Sequence, residues 1–281
     1  MRSIRYTTLK FLIPFLLLYL KTLNHTHLVT KCYNFSKVQL ISTIRSSTNF
    51  FHELKSFTNK VLGMNLDQIK VSLQSEDPQD RLRGLTALRN FDAEVAAPLL
   101  MTQVDDTEMI VRSFVVMGLG YKQTEAGFTK LLQVMEEDAE ANVRAEAAGA
   151  LGKYGPIAIP HLVKYFEQDQ HWLSQISTIL ALADLQCPEV LLEICRRALQ
   201  TPEAAIRSTA IDQLPAFVGT VHQEAALLLL LSQAQDPDGS IRRNVAKSLS
   251  VFPDDRAKAQ LMAFQRDPDH RVVAASLENL I

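Results

Sequence analysis

Seven times along this chain the same short pattern returns, and no other feature limits the possible folds as strongly. Taking an acidic or turn residue as position 0, the pattern starts at Asp77, Asp106, Asp138, Asp169, Thr201, Asp236 and Asp267. Position +5 holds Leu82, Val111, Val143, Ser174, Ile206, Ile241 and Val272, apolar in six of seven. Position +6 holds Arg83, Arg112, Arg144, Gln175, Arg207, Arg242 and Val273, arginine in five. Position +13 holds Asn90, Leu119, Leu151, Leu182, Leu214, Leu249 and Leu280, leucine in six. Successive starts lie 29 to 35 residues apart. A period of that size marks a stack of supersecondary units.

Positions +5, +9 and +13 are four apart and fall on one face of a helix. Asp-Pro or Asp at the start of the pattern suits a restart, with the carboxylate capping free amides. A second helical segment precedes each later pattern: AEVAAPLLMTQV, TEAGFTKLLQVMEE, PIAIPHLVKYFEQ, PEVLLEICRRALQ, HQEAALLLLLSQAQ and DRAKAQLMAFQR. NLDQIKVSLQS, from Asn65, opens the array, with Leu66, Ile69, Val71 and Leu73 as its apolar positions. A single helix pair cannot bury its apolar face, whereas seven stacked pairs share one continuous core. The expectation is an all-α, right-handed solenoid of about seven helix pairs over residues 64–281.

Charge separates this array from what precedes it. Residues 1–63 carry nine Lys or Arg and one acid, Glu53, a net of +8, while the remaining 218 carry 20 basic and 30 acidic residues, a net of −10. The leader contains FLIPFLLLYL, Phe11 to Leu20, behind Arg2, Arg5 and Lys10. Ten apolar residues interrupted by Pro14 fall short of the roughly 18 that span a bilayer, so a membrane anchor is not expected. Lys21 follows directly, with no small-x-small cleavage site nearby. Three readings of the leader stay open: a disordered or mis-assigned extension ahead of Met64, a targeting peptide, or a membrane-associating segment. The compartment that follows is the cytoplasm, or the plastid stroma if the leader is a transit peptide. Cys32, Cys187 and Cys195 form no C-x-x-C pair, and reduced buried thiols are expected.

The period, the paired helices and units such as DAEANVRAEAAGALGKYG, Asp138 to Gly155, resemble HEAT repeats, and specifically the HEAT-like repeats of the phycobilin lyase family of cyanobacteria and plastids. In such repeats the position-0 Asp and the +6 Arg build a ladder between units. The resemblance therefore assigns Arg83, Arg112, Arg144, Arg207 and Arg242 to structure, with Asp77, Asp106, Asp138, Thr201 and Asp236 as their respective partners. Gln175 and Val273 should interrupt it. The resemblance also implies a phycobiliprotein or another photosynthetic assembly as partner, or a lyase acting on bilin attachment or removal. Arg89, Lys122 or Lys153 could then meet the propionates of the pigment.

Five aligned arginines also suit a row of phosphates, yet the array is net negative, opposite to a nucleic-acid footprint, so no nucleic acid is expected. HEAT repeats also build deoxyhypusine hydroxylase, whose di-iron ligands are His-Glu doublets. Here the one such doublet is His52-Glu53, outside the array, and no metal or cofactor is expected. No G-x-S-x-G, Walker loop or H-E-x-x-H is present, so no catalytic residues are assigned.

The face away from the core, positions +7, +8 and +11, is small or polar in most units, as in Ser208, Thr209, Asp212, Arg243, Asn244 and Lys247. It is apolar at Leu85 and Leu88, at Phe114 and Met117, and at Ile176 and Leu180, with Trp172 at the rim. These seven residues are the expected partner-binding surface of a non-catalytic scaffold, lining its concave groove. Burial by superhelix curvature or by the leader is the competing structural account of the same residues.

Overall fold

The computed structural model describes residues 63–278, so the leader, with Cys32, His52 and Glu53, and the +13 residue Leu280 lie outside the described residues. The described residues form seven helix pairs: α1 Leu66–Leu73 with α2 Pro78–Ala87, α3 Ala93–Met101 with α4 Met109–Lys122, and α5 Glu125–Glu137 with α6 Ala141–Leu151. Then follow α7 Ile159–Gln168 with α8 Trp172–Asp184, α9 Pro188–Ala198 with α10 Ala204–Gln213, α11 Gln223–Ser232 with α12 Gly239–Leu249, and α13 Asp255–Phe264 with α14 His270–Leu277. Short 3-10 turns continue α2, α6 and α10. There is no strand among the described residues, and no helix there is long and apolar enough to cross a membrane.

Local chemistry sets the boundaries. Asn65 and Gln68 satisfy each other's backbone amides in a capping box that opens α1. Pro78 and Pro188 stand in the first turns of α2 and α9, where a missing N–H costs no hydrogen bond. Asp77 and the position-0 aspartates from Asp106 to Asp267 each accept the amide two residues on, as Asp138 does from Glu140 at 2.9 Å, and so turn the chain into its second helix. The +5, +9 and +13 residues then point into the core: Val111, Val115, Leu119, Val143, Ala147, Leu151, Ile241, Val245 and Leu249 are all buried. In the opening helix only Ile69 and Leu73 do so. Val71, two residues from each, lies on the opposite face and is 71% exposed, correcting its expected place in the cap.

The second helices pack on one another along the array, whereas the first helices touch only lightly. Small residues permit the approach. A Cβ on Gly120 would stand 2.8 Å from the Cβ of Ala150, and one on Gly152 would stand 3.2 Å from that of Ala181. Position +14 of one unit thus meets +12 of the next nearly backbone to backbone, at α4–α6 and α6–α8. A stack drawn together along one row curves toward that row, so the second helices line the inner face.

The first unit carries a two-residue correction to the sequence register. Arg81, not Arg83, donates to the carbonyls of Ser75 and Glu76, as Arg112 donates to those of Asp106 and Thr107. Position 0 of this unit is therefore Ser75, which makes Leu85 its +10 and Leu88 its +13 residue. Both are core side chains, 5% and 0% exposed, and neither belongs to the groove.

The fourth unit is polar inside. Its +5 and +9 residues, Ser174 and Thr178, are buried, with Ser174 Oγ 2.9 Å from Tyr165 Oη. Gln175, in place of the ladder arginine, donates to its own unit's Phe166 carbonyl.

Candidate functional site

Two surfaces run along the second helices: a row of buried ion pairs between units, and the inner face. In the first, each arginine reaches forward to the aspartate of the following unit. Arg81 Nε lies 2.6 Å from Asp106 Oδ2, and the Arg112–Asp138, Arg144–Asp169 and Arg242–Asp267 contacts are each 2.8 Å. The Arg207–Asp236 pair is looser at 3.2 Å. Within its own unit the guanidinium donates to the position-0 carbonyl, as Arg144 does to that of Asp138 at 2.9 Å. The same-unit side-chain pairing expected from the sequence is thereby corrected: one carboxylate serves its own turn and the preceding unit's arginine together. Arg83 stands outside this row, 47% exposed and paired with Asp80 on its own helix. Asp77 caps α2. No rung joins the fourth unit to the fifth, where Gln175 and Thr201 replace the arginine and the aspartate and each bonds within its own unit.

These contacts set the acid behaviour of the fold. Burial alone would raise the Asp169 carboxyl, but donors from Arg144, the His171 amide, Tyr165 and Ser174 outweigh it and hold it well below the usual range. Asp138 balances the same way, against Arg112 and the Glu140 amide, and Arg242 holds Asp267 low. A carboxyl whose folded value lies below the unfolded ~3.9 contributes stability above that pH and loses it as pH falls through the folded value. Urea unfolding midpoints are therefore expected to hold between about pH 7 and 5 and to fall progressively below about pH 4. In Arg144→Ala that acid dependence should be shallower, because Asp169 has lost its strongest reason to ionise.

The inner face is apolar along two helices. On α4, Phe114 and Met117 are half-buried and Tyr121 is 48% exposed. On α8, Trp172 is 45% exposed, Ile176 half-buried and Leu180 47% exposed. Their spacings, three to four residues apart, make one stripe on each helix. Between them α6 offers Asn142, Glu146 and Gly149, and a Cβ on Gly149 would meet nothing within 4 Å. The two apolar stripes, with these α6 residues between them, make up the trough. Glu146 is open to water, yet the protein around it pushes its carboxyl above the ordinary range, against the field of Lys153. The Lys153 ammonium lies 4.8 Å above the Tyr121 ring. Farther along, the inner face turns polar: Asn244 donates to Ser208, and Lys247 offsets the burial of Asp212.

Sequence reasoning missed Tyr121 and Glu146. Tyr121, at +15, continues the Phe114–Met117 stripe at i+7 and i+4, a periodicity visible in the sequence. Nothing in the sequence distinguishes Glu146 from an ordinary surface acid. Of the cations expected to meet propionates, Lys122 is committed elsewhere, donating to the carbonyls of Arg89 and Phe91. The Cys195 thiol is buried and pushed up to about 12, and burial raises Cys187 as well, so neither is poised as a thiolate. Among the described residues, no three or more His, Cys, Asp or Glu side chains gather as metal ligands would.

Paired helices, a shared core and a forward-reaching Arg–Asp ladder define an α-solenoid. HEAT repeats match residues 66–152, 97–183 and 198–281, and the chain belongs to the HEAT-repeat family. No curated protein sequence matches it significantly. Among solved structures it is similar to YibA of E. coli, at 18% identity over 80% of this chain and 85% of that one, with a TM-score of 0.58. That likeness is one of fold. The CpcE–CpcF complex of phycocyanin lyase from Nostoc sp. is 17% identical over 77% of this chain and 87% of that one, with a TM-score of 0.46. Human deoxyhypusine hydroxylase is 18% identical over 80% and 96%, with a TM-score of 0.36.

Proposed function

We propose that this chain is a non-catalytic protein-interaction scaffold whose partner lies in the trough over α4, α6 and α8. The observation that supports it is the pair of apolar stripes, Phe114–Met117–Tyr121 and Trp172–Ile176–Leu180, each partly exposed on its helix. The surface expected from the sequence is thereby narrowed to Phe114, Met117, Trp172, Ile176 and Leu180, without Leu85 and Leu88. A phycobiliprotein partner, and the alternative of a lyase acting on a bilin, rest on the resemblance of the repeats. The same trough would serve either, and Lys122, one of the three alternative anchors for a propionate, donates to backbone carbonyls instead.

A photo-crosslinking side chain at Asn142, at the mouth of the trough, tests the scaffold reading in the native cell. Met262, 67% exposed on α13, serves as control. The expected result is a discrete adduct from Asn142 that Phe114→Ser with Met117→Ser abolishes, with thermal stability nearly unchanged. Equal adducts from both positions, or an adduct indifferent to the double substitution, would count against a partner in the trough. An altered visible spectrum on mixing with phycocyanobilin would instead favour the lyase alternative.

A further inference from the structure

We infer that the curvature of the array responds to ionic strength: buried rungs fasten its inner side and exposed ones its outer side, so salt releases the outer side and the array curls more tightly about its second helices. This behaviour does not depend on what the trough receives.

The first helices carry a row of ion pairs of their own. Glu136 on α5 meets Lys164 on α7 at 3.1 Å, Glu167 on α7 meets Arg197 on α9, and Glu224 on α11 meets Arg256 on α13 at 2.6 Å. In each pair the acid stands on the earlier unit and the base on the later one, the reverse of the Arg–Asp ladder. At the junction of α9 with α11 the base is His222, 3.4 Å from Glu189, and it bears charge only when protonated.

Exposure separates the two rows. The side chains of the three permanent outer pairs are between 41% and 61% exposed, whereas those of the inner rungs are at most 19% exposed. Salt weakens exposed pairs and reaches buried ones much less. Packing differs in the same sense, because the second helices pack on one another while the first helices touch only lightly, and little else holds the outer side. Opening an outer rung also strands neither guanidinium: Arg197 keeps Glu193 at 2.7 Å and Arg256 keeps Asp254 at 2.9 Å, each within its own unit. Packed helices stand roughly 8–10 Å apart, so an opening of about 1 Å at one outer rung turns that junction by roughly 6–7°. With the inner row fixed, every such turn has the same sense and brings the two ends of the array closer together.

The test is the distance between spin labels at Val71→Cys on α1 and Met262→Cys on α13, both exposed positions, in the full-length chain carrying Cys32→Ser and Cys187→Ser, where Cys195 is buried. The mean distance should shorten by several ångströms between about 0.1 M and about 1 M NaCl, as the screening length falls from roughly 10 Å to roughly 3 Å. Glu136→Gln/Glu167→Gln/Glu224→Gln should show the shorter distance already at the lower salt and lose the dependence. Glu94→Gln/Glu125→Gln/Glu203→Gln removes the same charge from exposed acids outside both rows and should behave as the parent, which separates the rungs from the general repulsion of a net-negative array. All six acids are exposed, and circular dichroism checks that both triple variants keep the parent's helix content. A distance that ignores salt or lengthens with it, an unchanged salt response in the rung variant, or equal shortening in the two triple variants would overturn the inference.

Discussion

Replacing Arg144 by Ala is expected to lower the free energy of unfolding by about 3 kcal/mol, the scale of breaking a largely buried ion pair by removing one partner. The side chains of Arg144 and Asp169 are 19% and 12% exposed, so little water reaches the gap to replace the guanidinium. Three acceptors each lose one donor at once: Asp169 Oδ2 at 2.8 Å, the Asp138 carbonyl at 2.9 Å and the Ala139 carbonyl at 3.3 Å. Trough binding should be spared. Arg83→Ala is the paired measurement, because its ion pair with Asp80 is exposed on both sides and should change stability by no more than about 0.5 kcal/mol. Denaturant melts of the two variants check the ladder directly. Equal losses would mean that Arg83 rather than Arg81 continues the row.

Leu88→Ala is expected to cost about 3 kcal/mol, the usual loss for a fully buried leucine whose cavity closes only in part. Had the first unit followed the register of Asp77, Leu88 would face the groove and its truncation would leave the melt almost unmoved. The contrast with Phe114→Ser/Met117→Ser makes the experiment decisive: one substitution should reduce stability alone, the other affinity alone.

That register shows where the sequence was legible and where it misled. Regular spacing of Val111, Val115 and Leu119, and of their counterparts, revealed the helix pairs and the core because helical geometry ties sequence separation to a face. In the first unit two arginines stand two residues apart, and Asp77-Pro78 imitates the starts of other units, so the pattern locked onto Arg83. A signal pointed the other way. Asn90 was the one non-leucine at +13, and a shift of two replaces it with Leu88 while bringing Arg81 to +6. Columns of residues also identify who builds a ladder without saying which units meet. That Arg112 reaches Asp138 rather than Asp106 depends on how far the second helix carries its side chain beyond its own turn. The trough was partly legible, since its walls obey helical spacing. Its floor was not: Glu146 is set apart by the two helices standing on either side of it, a relation between units that no single helix encodes.

Considered as a structure under load, the array is not uniform. Arg–Asp rungs clamp the first four units into one span and the last three into another, and no rung bridges Gln175 and Thr201. The fourth and fifth units are joined instead by the exposed Glu167–Arg197 pair between α7 and α9 and by the packing of α8 on α10. The trough over α4, α6 and α8 lies wholly within the first span. The Arg112–Asp138 and Arg144–Asp169 rungs run between the units that carry it, so the ladder that stabilises the fold also sets the spacing of its two walls.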